Sequence, residues 1–311
     1  MHRHTLVLRA ATFALMGSTF ALGGCSGAPA DDTSSTTNQD DALTVDAQGF
    51  VLVPGGRKMH QSCVVKLEDG DTVEDEGVVR RADGTLDQHT CDFEPRPVAM
   101  ENAASTAING WVEAAHWKAP SEVHTLGGFW VVPPAPASQG SQTIFYFTGT
   151  EDATGSVILQ PVLQWGGSAA GGGRYFAIAS WYVGNKFSHF SALKRVPSGH
   201  TIRGWQNGGG AGGKWTVSTT DWTANVTTTL NVSGVPKQTE AFAAVLEAYG
   251  VTACNQFPST ARYFSTLSVF DLNNKQLSPK WANDWVGSAP KTPACSYGVR
   301  VVDRTAVVLS Y

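Results

Sequence analysis

Residues 156–165 read S-V-I-L-Q-P-V-L-Q-W, an apolar run that carries two amides, Gln160 and Gln164, with Pro161 between them. Aliphatic and β-branched residues at this density, bounded by turn formers, predict a β-strand. An amide on a strand that is otherwise built for burial must find a partner or line a cleft. Gln160 is therefore more informative than any charged residue in the chain. Two readings are open for it: a chemical role, or a hydrogen bond that satisfies the core.

Similar runs recur on both sides. Strands are predicted over 127–132, 143–148, 175–183, 201–206, 214–220, 223–232, 242–249, 265–272 and 300–310, each bounded by Gly, Pro, Asn or Ser. Residues 99–111 fit either a short helix or an extended lead-in. Residues 97–311 thus form one all-β block, and a two-sheet antiparallel β-sandwich of the concanavalin or jelly-roll kind buries such strands most economically. Residues 47–96 are polar, with turn signals at Pro54-Gly55-Gly56, Glu68-Asp69-Gly70 and Ala82-Asp83-Gly84. They read as a small N-terminal extension that needs a disulfide, or the body it packs on, to hold together.

Residues 1–25 read as a signal peptide: His2, Arg3 and His4 precede an apolar run over 10–22 that is too short to span a bilayer. The run closes on Leu22-Gly23-Gly24-Cys25, which resembles a bacterial lipobox and implies lipidation of Cys25. Residues 26–46, rich in Ala, Asp, Ser and Thr, read as a flexible tether. The expected location is outside the cytoplasm, lipid-anchored to a bacterial membrane or cell surface, or secreted, with membrane contact only through Cys25. Of five cysteines, setting Cys25 aside leaves Cys63, Cys91, Cys254 and Cys295. An even number in an exported chain predicts two disulfides, with the sequence-local pairing Cys63–Cys91 and Cys254–Cys295 preferred among the three pairings available. None has CxxC spacing, which makes a disulfide a better reading than zinc for Cys63 and Cys91.

The formal charge is −4, with 15% charged residues and no basic run, which gives the chain no electrostatic reason to seek nucleic acid. HExxH, a Walker loop and an intact GxSxG are all missing; Gly166-Gly167-Ser168-Ala169-Ala170 lacks the last glycine of a nucleophile elbow. The glycine run over 208–213 opens no helix and reads as a hairpin loop, not a phosphate site. The reading calls for no cofactor and no metal. His116, His124, His189 and His200 show no metal spacing and are expected at the surface or in capping roles.

The order of motifs resembles the eqolisin family of glutamic peptidases, acid proteases of fungal type. Asn109-Gly110-Trp111, Gly127-Gly128-Phe129-Trp130-Val131-Val132-Pro133, Phe147-Thr148-Gly149-Thr150-Glu151, Ile158-Leu159-Gln160, Ala179-Ser180-Trp181-Tyr182 and Ser198-Gly199-His200-Thr201-Ile202 follow that family's sequence of motifs. The resemblance spans most of residues 109–272. It implies a two-sheet sandwich and peptide-bond hydrolysis in which a glutamate activates water and a glutamine amide stabilises the developing oxyanion.

Gln160 falls on the family's glutamine. The family's Glu-Trp-x-x-Glu strand is matched by Phe242-Ala243-Ala244-Val245-Leu246-Glu247, which sets Glu247 on the second glutamate and Ala243 on the catalytic one. Glu247 is then the provisional acid/base, expected to share a face with Ala243. Glu240 substitutes only if a β-bulge intervenes. Glu151 matches a supporting acid, and Gln164, Trp165, Trp181 and Tyr182 are candidates for shaping a peptide groove or stacking on sugar rings. The rival reading is a lipid-tethered, non-catalytic β-sandwich that binds peptide or glycan in the same cleft.

Overall fold

The computed structural model describes residues 45–98, 107–284 and 293–311. The signal peptide, Cys25, nearly all of the tether and residues 99–106 lie outside the described residues. In the extension, the strands are β1 (Phe50–Val53), β2 (Arg57–His60), β3 (Val64–Leu67), β4 (Thr72–Asp75), β5 (Val78–Arg80), β6 (Leu86–Gln88) and β7 (Arg96–Pro97). The body begins with β8 (Ile108–Lys118), β9 (Val123–Val131), β10 (Thr143–Asp152), β11 (Ile158–Ser168) and β12 (Gly171–Val183). It continues with β13 (Ser188–Ser191), β14 (Lys194–Arg195), β15 (Thr201–Gly209), β16 (Lys214–Asp221), β17 (Val226–Val232) and β18 (Gln238–Val251). It ends with β19 (Arg262–Asp271), β20 (Gly298–Asp303) and β21 (Ala306–Ser310).

Two large sheets pack as a sandwich. One runs β3-β13-β12-β11-β10-β18-β8, with β14 on β12, and the other runs β20-β21-β19-β9-β15-β16-β17-β4-β5-β6. Pairing within the body is antiparallel, as expected, and the extension adds one parallel strand to each sheet, β3 on β13 and β4 on β17. Part of the polar segment is therefore woven into the sandwich, with β3 in one sheet and β4, β5 and β6 in the other. Its remaining strands form a small third sheet, β1-β2-β7.

That third sheet explains a pattern the sequence leaves ambiguous. A sandwich strand with one wet face alternates apolar and polar residues. Here β10 and β18 are buried at almost every position. Inward residues such as Ile144, Tyr146, Leu163 and Leu246 fill the space between the sheets, while Phe145, Phe147, Val162, Val245 and Phe242 on the outer face join Val51, Val53 and Met59 of the extension. Covering both faces of the central strands calls for continuous apolar runs, which is what residues 143–148 and 242–246 supply.

Cys63–Cys91 and Cys254–Cys295 are both formed, with Cα atoms 5.0 and 5.5 Å apart. The single strand predicted over 300–310 is instead a hairpin of β20 and β21, because the Asp303 carboxylate accepts from the Thr305 N–H (2.6 Å) and hydroxyl (2.8 Å) and turns the chain. Residues 223–225 are a turn and not the start of a strand, since Asp221 accepts from the Thr223 and Ala224 N–H groups. Extended lead-in is correct for the described part of 99–111, which enters β8 at Ile108.

His189 departs from the surface role expected of it. It is fully buried on β13, opposite Val65 of the extension, with no group among the described residues bonded to either ring nitrogen and the Tyr182 and Phe187 rings beside it. Burial, with a smaller contribution from His89, pushes its pKa down to about 3. A folded-state pKa below the ordinary 6.5 gives stability that is present above 6.5 and lost as pH falls toward 3, by at most about 1.4 kcal/mol per pH unit. His189→Phe should remove that loss. Thermal melts at neutral and acid pH check it: the drop in Tm on acidification is smaller in the variant, and an equal drop contradicts this account.

Candidate functional site

The outer face of the β11-β10-β18 region is a concave floor, and the hairpin of β1 and β2 lies on it. Gln160 and Gln164 both point to this face, yet their bonding differs. The Gln164 amide donates to the carbonyls of Gly166 (2.7 Å) and Gly171 (2.8 Å) and accepts from the Ser168 hydroxyl (2.7 Å). It is consumed in pinning the turn between β11 and β12. Gln160 is just as buried, and among the described residues no group hydrogen-bonds either its Nε2 or its Oε1. Leaving a buried polar group unpaired costs about 1–3 kcal/mol. Among the described residues no group supplies the core hydrogen bond that one reading of Gln160 calls for.

Glu247 projects from β18 onto the same floor and is completely buried. Its carboxylate is held by the tip of the extension's hairpin: the Gly55 N–H donates to Oε1 (3.0 Å) and Oε2 (2.9 Å), and the Gly56 N–H to Oε1 (2.7 Å). The Tyr249 hydroxyl donates to Oε1 as well. Both glycines have positive φ, +101° and +79°, which lets two successive N–H groups converge on one carboxylate. A side chain added at Gly55 would meet the Gln160 Nε2 at 3.4 Å. One residue of the extension thus bonds the buried carboxylate and faces the Gln160 amide.

Burial pushes the Glu247 carboxyl up to about 7, against the lowering effects of the Tyr249, Gly55 and Gly56 bonds and the Arg57 charge. Glu151, at the end of β10, is likewise raised to about 7 by burial, with Arg57 opposing. The Arg57 guanidinium directs its donors to the carbonyls of Gly55, Gly184 and Gly155 at 3.4–3.5 Å. Beside this cluster a cavity of about 680 Å³ remains, lined by Arg57, Glu94, Trp111, Glu151 and Asn185 among others.

The strand β18 carries a bulge that the sequence alignment does not anticipate. Phe242 pairs with His116 and Ala244 with Ala115, so Ala243 is the extra residue. Ala243 and Ala244 both turn inward, whereas Phe242, Val245 and Tyr249 lie on the floor with Glu247. Glu247 therefore does not share a face with Ala243, the aligned catalytic position. The same bulge brings Glu240 to the floor, as its substitution would require, but its carboxylate is bonded to the His116 Nδ1 (2.8 Å).

The aromatic candidates are core residues. Trp181 is fully buried and stacks on Phe190 with centroids 5.0 Å apart, and Trp165 packs inward against Phe176. Tyr182 is also buried. None of the three presents a face to a sugar ring. Asp152, which sequence reading passed over, accepts from the Thr154, Ser156 and Val157 N–H groups and fixes the loop that launches β11. Its signal was the Asp-Ala-Thr-Gly-Ser turn composition.

No protein-family model matches the sequence, and no curated protein matches it either. Among solved structures, the chain is similar to scytalido-glutamic peptidase with a peptide-based transition-state analog, at TM-score 0.50 and 17% identity over 65% of this chain and 98% of that one. It is also similar to SCP-B, a member of the eqolisin family of peptidases, in complex with the tripeptide Ala-Ile-His, at TM-score 0.49, 16% identity and the same two coverages. At such identity the likeness to scytalido-glutamic peptidase is one of fold, a peptidase-like β-sandwich.

A carboxyl whose folded pKa lies near 7, above its ordinary 4.5, contributes stability that is complete below 4.5 and lost as pH rises through 7. Tyr249→Phe removes a donor to the charged form and should move the Glu247 midpoint further up. Carbon-detected NMR of the carboxyl checks the direction, and a midpoint that falls contradicts the assigned bond.

Proposed function

We propose that the chain is an exported hydrolase of glutamic-peptidase type that cleaves peptide bonds with a Gln/Glu pair acting on water, and that its own hairpin keeps it latent. The observation that carries this reading is Gly55, whose N–H is bonded to the Glu247 carboxylate and whose α-carbon faces the Gln160 amide, so that a Cβ added there would stand 3.4 Å from Nε2. A substrate peptide held at that place would meet the same two groups. Gln160 is the oxyanion stabiliser, its Nε2–H groups free to bond a developing alkoxide. The glutamate is a cleft carboxylate, a part that motif order gives to Glu247. The comparison with scytalido-glutamic peptidase supports the scaffold for this chemistry, and the lipobox-like run Leu22-Gly23-Gly24-Cys25 supports a tethered location outside the cytoplasm.

A second reading is favoured by one register fact. Across β10, the partner of Gly149 is Phe242, which places an aromatic beside Gln160 where a catalytic glutamate would stand. With the extension woven into both sheets, the same cleft then serves as a non-catalytic module that binds peptide or glycan.

Opening the turn separates the two. Any side chain at Gly55 is strained by its φ, at a cost of about 1–3 kcal/mol, and presses on Gln160 and Ile158. The full chain and a Gly55→Val variant would be incubated with denatured protein from acid to neutral pH. Gly55→Val should cleave faster than the parent, and adding Gln160→Ala should lower kcat by about 10²–10³-fold. Absence of cleavage in every form sinks the hydrolase and leaves the binding module.

A further inference from the structure

By register, the carboxylate nearest Gln160 is on β10 and not on β18. Glu151 pairs with Ile158, and Ile158 and Gln160 point to the same face of β11. Glu151 and Gln160 are therefore diagonal neighbours on adjacent strands, about 7–8 Å apart at the backbone and within reach of each other's side chains. Glu247 pairs with Phe145, which pairs with Gln164. It lies two strands away and four residues out of step, about 10 Å across the sheet and about 13 Å along it.

The bonding of the two acids differs in the same sense. Every oxygen of Glu247 is engaged by the hairpin turn or by Tyr249. Among the described residues none donates a hydrogen bond to Glu151, whose Oε2 faces Gly155 at the wall of the 680 Å³ cavity. The charged groups around it are Arg57, Glu240, Asp152 and Glu247, three acids and one base. Arg57 is itself spread over three carbonyls and forms no ion pair within 4 Å among the described residues.

We propose that Glu151 is the water-activating carboxylate that partners Gln160, and that Glu247 acts as the clasp that holds the Gly55–Gly56 turn. This rests on the hydrolase reading and deepens it. Glu151 takes a proton from water while the water oxygen bonds to the substrate carbonyl carbon, and the displaced electron pair settles on the carbonyl oxygen against the Gln160 amide. Collapse breaks the C–N bond, and Glu151 returns its proton to the leaving nitrogen. A desolvated carboxyl raised to about 7 suits both transfers.

The two glutamates then give opposite outcomes in the Gly55→Val background. Glu151→Gln lowers kcat by about 10²-fold or more with KM little changed, and formate restores part of the rate to Glu151→Ala, which a structural role would not allow. Glu247→Gln weakens the clasp in the otherwise unaltered full chain and raises its hydrolysis rate. If hydrolysis depends on Gln160 but is indifferent to Glu151, this proposal fails while the hydrolase reading stands. If Glu247→Gln abolishes cleavage, the clasp role is overturned. If no form cleaves, both readings fall together.

Discussion

The grip of one buried carboxylate on two backbone amides organises this molecule. Glu247 sits among phenylalanines and valines, and besides Tyr249 the groups that satisfy it come from a segment 192 residues earlier in the chain. Because Gly55 and Gly56 dock there, β1 and β2 follow, and the apolar outer face of the central strands becomes interior. The third layer is thus as much a consequence of one charged contact as of hydrophobic area. A lone carboxylate in that position would stay neutral or draw in water; a nest of two N–H groups makes its burial tolerable.

The same contact sets the chemistry of the cleft. It fills the space that a peptide would need at Gln160, and it divides the acids into one that is saturated and one that is not. The cleft is covered by two residues of turn, while the cavity beside Glu151 stays open. Cover and accessibility are therefore separate properties of neighbouring places on one sheet.

Much of the fold was legible. Runs such as 157–165 and 175–183 are β-branched and aromatic and are bounded by turn formers, and the four non-leader cysteines pair locally. What the sequence concealed was non-local. Nothing in residues 64–67 or 72–75 states that they pair with β13 and β17, since parallel pairing leaves no local mark. At the site, Gln160 stood out because an amide interrupts an apolar strand, a signal written in its neighbours. The partner was misplaced because a single extra residue at Ala243 reverses which side chains of β18 share a face, and bulges follow no composition rule strong enough to place them. Glu151 was undervalued for a similar reason: its loop looks solvent-exposed until the extension is laid over it.

The parallel additions of β3 to β13 and of β4 to β17 have a consequence for the order in which the chain acquires structure. The extension is made well before its strand partners and before Glu247, which follows Gly55 by 192 residues. Its closing contacts span most of the chain length, the kind of connectivity that slows folding. The segment that covers the cleft is therefore made well before the residues that hold it in place. Until β18 is in place, the turn at Gly55 and Gly56 has nothing to hold, and the newly formed floor stands briefly uncovered.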